Sequence, residues 1–163
     1  MDNPTSASRP FSLTLPTPPA PVGAYQAVAI RGRLGFVSGQ FPLVEGKMLC
    51  TDGSAEMDLD HARTAARVAA LNAIAQIHQA IGTWDRFAGL CRVDGVIAAL
   101  AGFDGHARIL DAASETFVEF FGPELGAHAR SAISSPGLPG NAALELVVTF
   151  AVAEGYLRQS VNG

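Results

Sequence analysis

The run Ala143–Ala153, ALELVVTFAVA, constrains the fold of this chain more than any other stretch. Extended backbone sends successive side chains to opposite sides. Leu144, Leu146, Val148, Phe150 and Val152 therefore share one face, and Glu145, Val147, Thr149 and Ala151 share the other. The first face demands a buried core. The second is too apolar for a sheet face open to water. This run reads as the longest strand of a sheet that needs covering on both sides.

Two helices supply one cover. In SAEMDLDHARTAARVAALNAIAQIHQAIG, Ala62, Ala66, Ala69, Ala73, Ile77 and Ala80 recur at helical spacing, broadened by Leu59, Ala70, Ile74 and Ile81. Asp58 or Asp60 can cap the start, and Gly82 is a natural stop. ARILDAASETFVEFFG reads as a second helix on the stripe Leu110, Ala113, Phe117, Phe120 and Phe121, ended by Gly122-Pro123. Before the first helix, AYQAVAIRGRLGFVSGQFP reads as a hairpin turning at Arg31-Gly32, and LVEGKML as a second turn at Gly46. Residues 86–100 and Arg130–Ser135 read as strands, with PGLPG a turn after the second. The order ββ(β)αβαββ predicts an α+β fold with both helices on one face of a mixed sheet. With the helices used, the simplest cover for the second face is another copy of the chain.

Composition points the same way. The chain has 163 residues, enough for one domain with a core of its own. Charged residues make up 16%, against about 25% in an ordinary domain. That shortage fits surface buried between subunits. The net charge of −4 and the lack of a basic run leave a nucleic-acid partner unexpected. No apolar run reaches the roughly 20 residues of a membrane span. Cys50 and Cys91 are too few for a disulfide scaffold, and we read both as reduced cysteines of a cytoplasmic protein. His61, His78, His106 and His128 show no metal-ligand spacing. Residues 1–20, rich in Pro and Ser, read as an extended or disordered tail without a signal peptide's apolar region. Residues 21–156 then form the domain and 157–163 a C-terminal tail.

Two charges sit where burial would be costly. Arg130 offers a planar fork of donors suited to a carboxylate. Glu145, on what reads as the next strand across a Pro-Gly turn, is a candidate neighbour that could hold that fork or a water. A plain ion pair between strands is the structural alternative. Ser38-Gly39-Gln40 follows an apolar strand end, and Gly39, without a Cβ, would let a ligand approach the backbone. A simple turn glycine is the alternative there. Tyr25 could stack on a small ligand, or could be a half-buried strand residue.

Together these pieces resemble the RidA/YjgF/UK114 family, also labelled L-PSP endoribonuclease-like. The family's Gly-Pro-Tyr reads here as Gly23-Ala24-Tyr25, and its Ser-Gly-Gln-Ile-Pro as Ser38-Gly39-Gln40-Phe41-Pro42. Its Ala-Arg-Ser reads as Ala129-Arg130-Ser131, followed by Leu138-Pro139 and, fifteen residues after the arginine, Glu145. The similarity spans about residues 16–154. AALNAIAQI and ILDAASETFVEFFG…HARSA look like a less-characterised branch. The resemblance implies a chorismate-mutase-like fold and a homotrimer with clefts between subunits. It implies a cofactor-independent, metal-independent hydrolysis of enamines or imines to 2-oxo acids and ammonia. In that scheme Arg130 clamps the substrate carboxylate and Glu145 positions water or holds Arg130. Ser38 and Gly39 orient the imine, and Tyr25 closes the cleft from a neighbouring subunit. Ser114 and Ala132 stand at positions that reach the site in the archetype, where they are Asn and Cys or Thr. The alternatives are a non-catalytic sensor of small carboxylates and, ranked last, an endoribonuclease.

Overall fold

The computed structural model describes residues 13–49 and 58–154. Cys50, the first residues of the predicted helical run (54–57), the tail to residue 12 and residues 157–163 lie outside the described residues. Residues 14–20, assigned to the tail, form neither helix nor strand. Leu13 and Leu15 nevertheless pack on the core, and the Pro19 carbonyl accepts from Gln76 Nε2 at 2.6 Å.

The strands are β1 (Val28–Arg31), β2 (Leu34–Gln40), β3 (Leu43–Val44), β4 (Lys47–Met48), β5 (Phe87–Ala98), β6 (Ala129–Ser135) and β7 (Leu144–Val152). The helices are α1 (Leu59–Ile81) and α2 (His106–Leu125). Five strands form one sheet in the order β1-β2-β7-β5-β6, with β3 and β4 a separate small hairpin. Every pairing in the large sheet is antiparallel except β5 with β6. The fold is the predicted α+β arrangement, two helices on one face of a mixed sheet.

Local chemistry sets the boundaries. Asp58 caps α1, its carboxylate accepting from the Asp60 N–H at 3.0 Å. Gly82 closes α1 in the left-handed region at φ 74°, where a side chain would be strained. The β3–β4 turn holds Glu45 and Gly46 at φ 50° and 78°, a left-handed pair that matches the twist of a hairpin. Gly122 breaks α2 at φ 83°, ψ 168°, as its Gly-Pro pair predicts, but one further turn follows to Leu125.

The core lies between the sheet and the helices. The parity of β7 holds: Leu144, Leu146, Val148, Phe150 and Val152 are all buried. They meet Ile74, Ile77 and Ile81 of α1 and Leu110, Phe117 and Phe121 of α2 within one cluster. Six alanines of α1, from Ala62 to Ala73, are fully buried. The small side chains let α1 lie close to its neighbours. Asn72 and Gln76 are buried on the same helix, Asn72 Nδ2 donating to the Phe41 and Leu43 carbonyls and so tying the β2–β3 connection to α1. The opposite sheet face exposes Leu34, Phe36, Val147 and Ile133, the last at 58%.

Two expectations are corrected. The longest strand is β5, with twelve residues, not β7 with nine. More consequentially, β6 and β7 do not pair. A strand–helix–strand crossover through α2 lays β6 parallel to β5 on its outer edge. β7 takes the inner edge of β5, so β5 separates the two strands that the Pro-Gly turn seemed to join.

Gly35 tests the packing. Its backbone is ordinary extended chain, but an added Cβ would fall 2.1 Å from the Phe150 ring, which is fully buried. Gly35→Ala is expected to lower stability by about 1–3 kcal/mol through overpacking. The shift in urea midpoint at unchanged m-value measures it.

Candidate functional site

Arg130 stands opposite Val93 in the parallel β5–β6 ladder, and Val93 faces the core. The guanidinium therefore rises on the helix side of the sheet, beside α2. Its Nη2 donates to Asp111 Oδ1 at 2.7 Å and its Nη1 to Ser114 Oγ at 3.1 Å. Asp111 and Ser114 are three residues apart, hence on one face of α2. The side chain of Arg130 is 31% exposed and that of Asp111 46%, so their ion pair contributes about 1 kcal/mol at most. Its main effect is geometric.

A hydrogen-bond chain continues from Ser114. His128 Nε2 lies 3.0 Å from Ser114 Oγ, and His128 Nδ1 lies 2.6 Å from the Gly126 carbonyl. A carbonyl only accepts, which puts a proton on Nδ1. In the neutral ring Nε2 is then an acceptor, so the Ser114 hydroxyl donates to it and accepts from Arg130. Phe117 and the imidazole meet nearly perpendicular, with ring centres 5.8 Å apart. Arg130 is thus fixed from two sides. Among the described residues, two of its five N–H donors are engaged, leaving three for a ligand. Ala132 follows on the same side of β6, opposite Gly95, and packs against the core without a polar group to offer.

Glu145 is elsewhere. It pairs with Val96 on β5, one residue off the core-facing parity, and so projects from the opposite face of the sheet to Arg130. Two strand spacings, about 10 Å, also separate their strands. Sequence reasoning paired these residues; within one chain the structure does not. The partner of Arg130 is Asp111, which the sequence reading did not single out.

Glu145 instead lies on Gly39. The β2–β7 register slips between Val37 and Gln40, where β2 carries an extra residue. A Cβ at Gly39 would fall 1.6 Å from Glu145 Oε1, so only glycine admits the carboxyl here. Burial pushes the Glu145 carboxyl above its ordinary value, and among the described residues no cation pairs with it. Ser38 spends its polar groups on structure: Oγ donates to the Gln26 carbonyl at 2.8 Å and its N–H to that of Ala27 at 2.9 Å. Buried Gln40 donates back to the Ser38 carbonyl at 2.8 Å. These bonds hold the bulge and the segment before β1 together. Tyr25 lies in that segment, 49% exposed. It lines a small cavity of about 40 Å³ together with Gly39, Gln40, Phe41 and Gln76.

The residues therefore form two groups. Tyr25, Ser38, Gly39 and Glu145 gather around the β2 bulge. Arg130, Ser114 and Ala132 gather between β6 and α2, joined by Asp111 and His128. A signal for the last two was present: Asp111 and Ser114 have helical spacing, and His128 shares the alternation of Arg130 and Ala132. Among the described residues no three His, Cys, Asp or Glu side chains gather to hold a metal, and no helix is long and apolar enough to cross a membrane.

The sequence and fold have known relatives. A family described as "YjgF/chorismate mutase-like, putative endoribonuclease" matches residues 7–153. Protein TCP17 of Trypanosoma cruzi is 29% identical over 137 residues, covering 83% of this chain and 86% of its own. The crystal structure of a "putative endoribonuclease" from Shewanella oneidensis MR-1 superposes with a TM-score of 0.80 at 34% identity, covering 85% of this chain and 92% of that one. Escherichia coli TdcF with bound serine shares the fold, with a TM-score of 0.60 at 20% identity over 84% of this chain and 94% of its own. With the family matched over residues 7–153 and a 34% identical structure over 85% of its length, the chain belongs to the YjgF/RidA, chorismate mutase-like family.

Proposed function

We propose that this protein hydrolyses reactive 2-imino acids, and the enamines in equilibrium with them, to 2-oxo acids and ammonia in clefts between subunits of a cytoplasmic homotrimer. The observation that carries this reading is Arg130. It is a guanidinium oriented by Asp111 and Ser114, with further donors left for a substrate carboxylate.

Glu145 supplies the second function. A half-buried carboxylate beside a glycine backbone, with no cation paired to it among the described residues, can hold a water and take its proton. Water adds to the C=N carbon, the nitrogen gains a proton, and the carbinolamine collapses with C–N cleavage to release ammonia. Orientation and a held water suffice for so reactive a substrate. Because Arg130 and Glu145 rise from opposite sheet faces, the cleft must join one copy's Arg130 to another copy's Glu145 and Tyr25. The exposed apolar residues Leu34, Phe36, Val147 and Ile133 give the copies a surface to share.

A second reading, a sensor that binds a small carboxylate without turnover, is favoured by Ala132, which offers no polar group beside Arg130. Endoribonuclease action ranks below both. The site offers a phosphate backbone one arginine, already paired with Asp111, on a chain of net charge −4.

Coupled to a serine or threonine dehydratase with semicarbazide as the trap, the wild-type protein is expected to speed imine loss. Arg130→Ala should cut kcat/KM by about 100-fold or more; unchanged turnover would sink the proposal, and tight carboxylate binding without turnover would select the sensor. Phe36→Glu should convert the trimer to monomers by sedimentation velocity and abolish turnover while the helical circular dichroism persists.

Glu145 gives a pH dependence. Its working form is the carboxylate and its folded pKa is raised, so turnover should fall as pH drops through a value above the ordinary glutamate range. Stability has a related sign. Below the unfolded pKa the carboxyl is neutral in both states. Above it, the desolvation cost of the charged form weighs on the folded state alone. The melting temperature of Glu145→Gln, relative to wild type, should therefore rise between pH 4 and pH 7 in scanning calorimetry.

A further inference from the structure

We infer that Asp111 makes the Arg130 site selective for zwitterions, ligands that carry a cationic nitrogen on the carbon next to their carboxylate. This rests on the reading of Arg130 as the carboxylate anchor, and it adds a determinant that the sequence motifs do not contain.

Charge sets the preference. Asp111 Oδ1 touches Arg130 Nη2 at 2.7 Å, and both side chains are partly open to solvent. A ligand arriving at Arg130 therefore meets a carboxylate beside the guanidinium. A plain monoanion gains from Arg130 but is repelled by Asp111, and the two effects largely offset. An α-amino acid, or a protonated 2-imino acid, has its positive nitrogen one bond from the carbon bearing the carboxylate. Such a ligand can lay its carboxylate on the free donors of Arg130 and its N–H groups on Asp111.

The surroundings leave Asp111 available for this. The other nearby charges on α2 are engaged: Arg108 pairs with Asp104 at 3.8 Å and Glu115 with Arg63 at 3.1 Å. Ser114, set by His128, gives Arg130 a second anchor on its other nitrogen. Asp111 can turn part of its charge toward a ligand without releasing the guanidinium. Applied to the proposed reaction, the pair favours the protonated imine, the form that water attacks, and disfavours the 2-oxo acid product, a monoanion.

The test uses two probes that differ only at the α-substituent: L-serine, with an ammonium, and L-glycerate, with a hydroxyl. Calorimetric titration of the full-length wild-type protein should show L-serine binding about three- to fivefold more tightly, the upper scale of one partly exposed charge pair. Asp111→Asn keeps an acceptor for Arg130 and removes only the charge. It should bring the two affinities to within about twofold, L-serine weakening and L-glycerate tightening, the latter a gain that a merely structural role would not produce. Asp111→Glu should restore the preference. A preference that survives Asp111→Asn overturns the role of Asp111 and leaves the carboxylate site standing. Failure of both probes to bind, or binding that persists in Arg130→Ala, overturns the carboxylate site and the selectivity with it.

Discussion

β5 is hydrogen-bonded along both edges, antiparallel to β7 and parallel to β6. The rest of the molecule follows from that. A parallel neighbour needs a crossover, and the crossover is α2, which returns the chain to the outer side of β5. β6 thereby becomes an edge strand whose inward side chains meet α2. Arg130 finds Asp111 and Ser114 there, and not the carboxylate fifteen residues ahead of it. The same strand keeps Glu145 on the far face, against the β2 bulge.

Local features of the sequence were legible because local chemistry decides them. Asp58 and Gly82 bounded α1, Gly46 marked the small hairpin, and the alternation along β7 named its buried face. The partner of β6 was not legible. Pro136–Gly140 reads as a hairpin turn, yet in the fold it belongs to a connection that carries the chain past the end of β5. Both courses fit the same five residues, and only the crossover upstream chooses between them. The pairing of Arg130 was lost with it, since a salt bridge depends on how a helix docks beside a strand. Tyr25, Ser38 and Gly39 lie near one another because they are close in sequence, whereas Glu145 reaches the same bulge from β7 through the β2–β7 pairing.

Two carboxylates on the uncovered face show how environment sets charge. Asp94 sits below its ordinary value, held there first by the Arg92 guanidinium and also by the Ser131 hydroxyl. Glu145 shares that face and has no such partner among the described residues, and desolvation moves it the other way. One is anchored as an anion by its neighbours. The other, desolvated and without them, gives up its proton less readily than an ordinary glutamate.

The alanine seam of α1 bears on how this chain can change over time. Alanine has no rotamers to freeze, so this part of the helix docks without side-chain entropy loss. For the same reason the seam has nothing that can swing aside. A larger residue at Ala66 or Ala69 would be met only by lifting the whole helix, and Asn72 and Gln76 ride on it. Divergence along this chain should therefore spare the buried side of α1, and a single added methylene there would be felt at the bulge on which Glu145 rests.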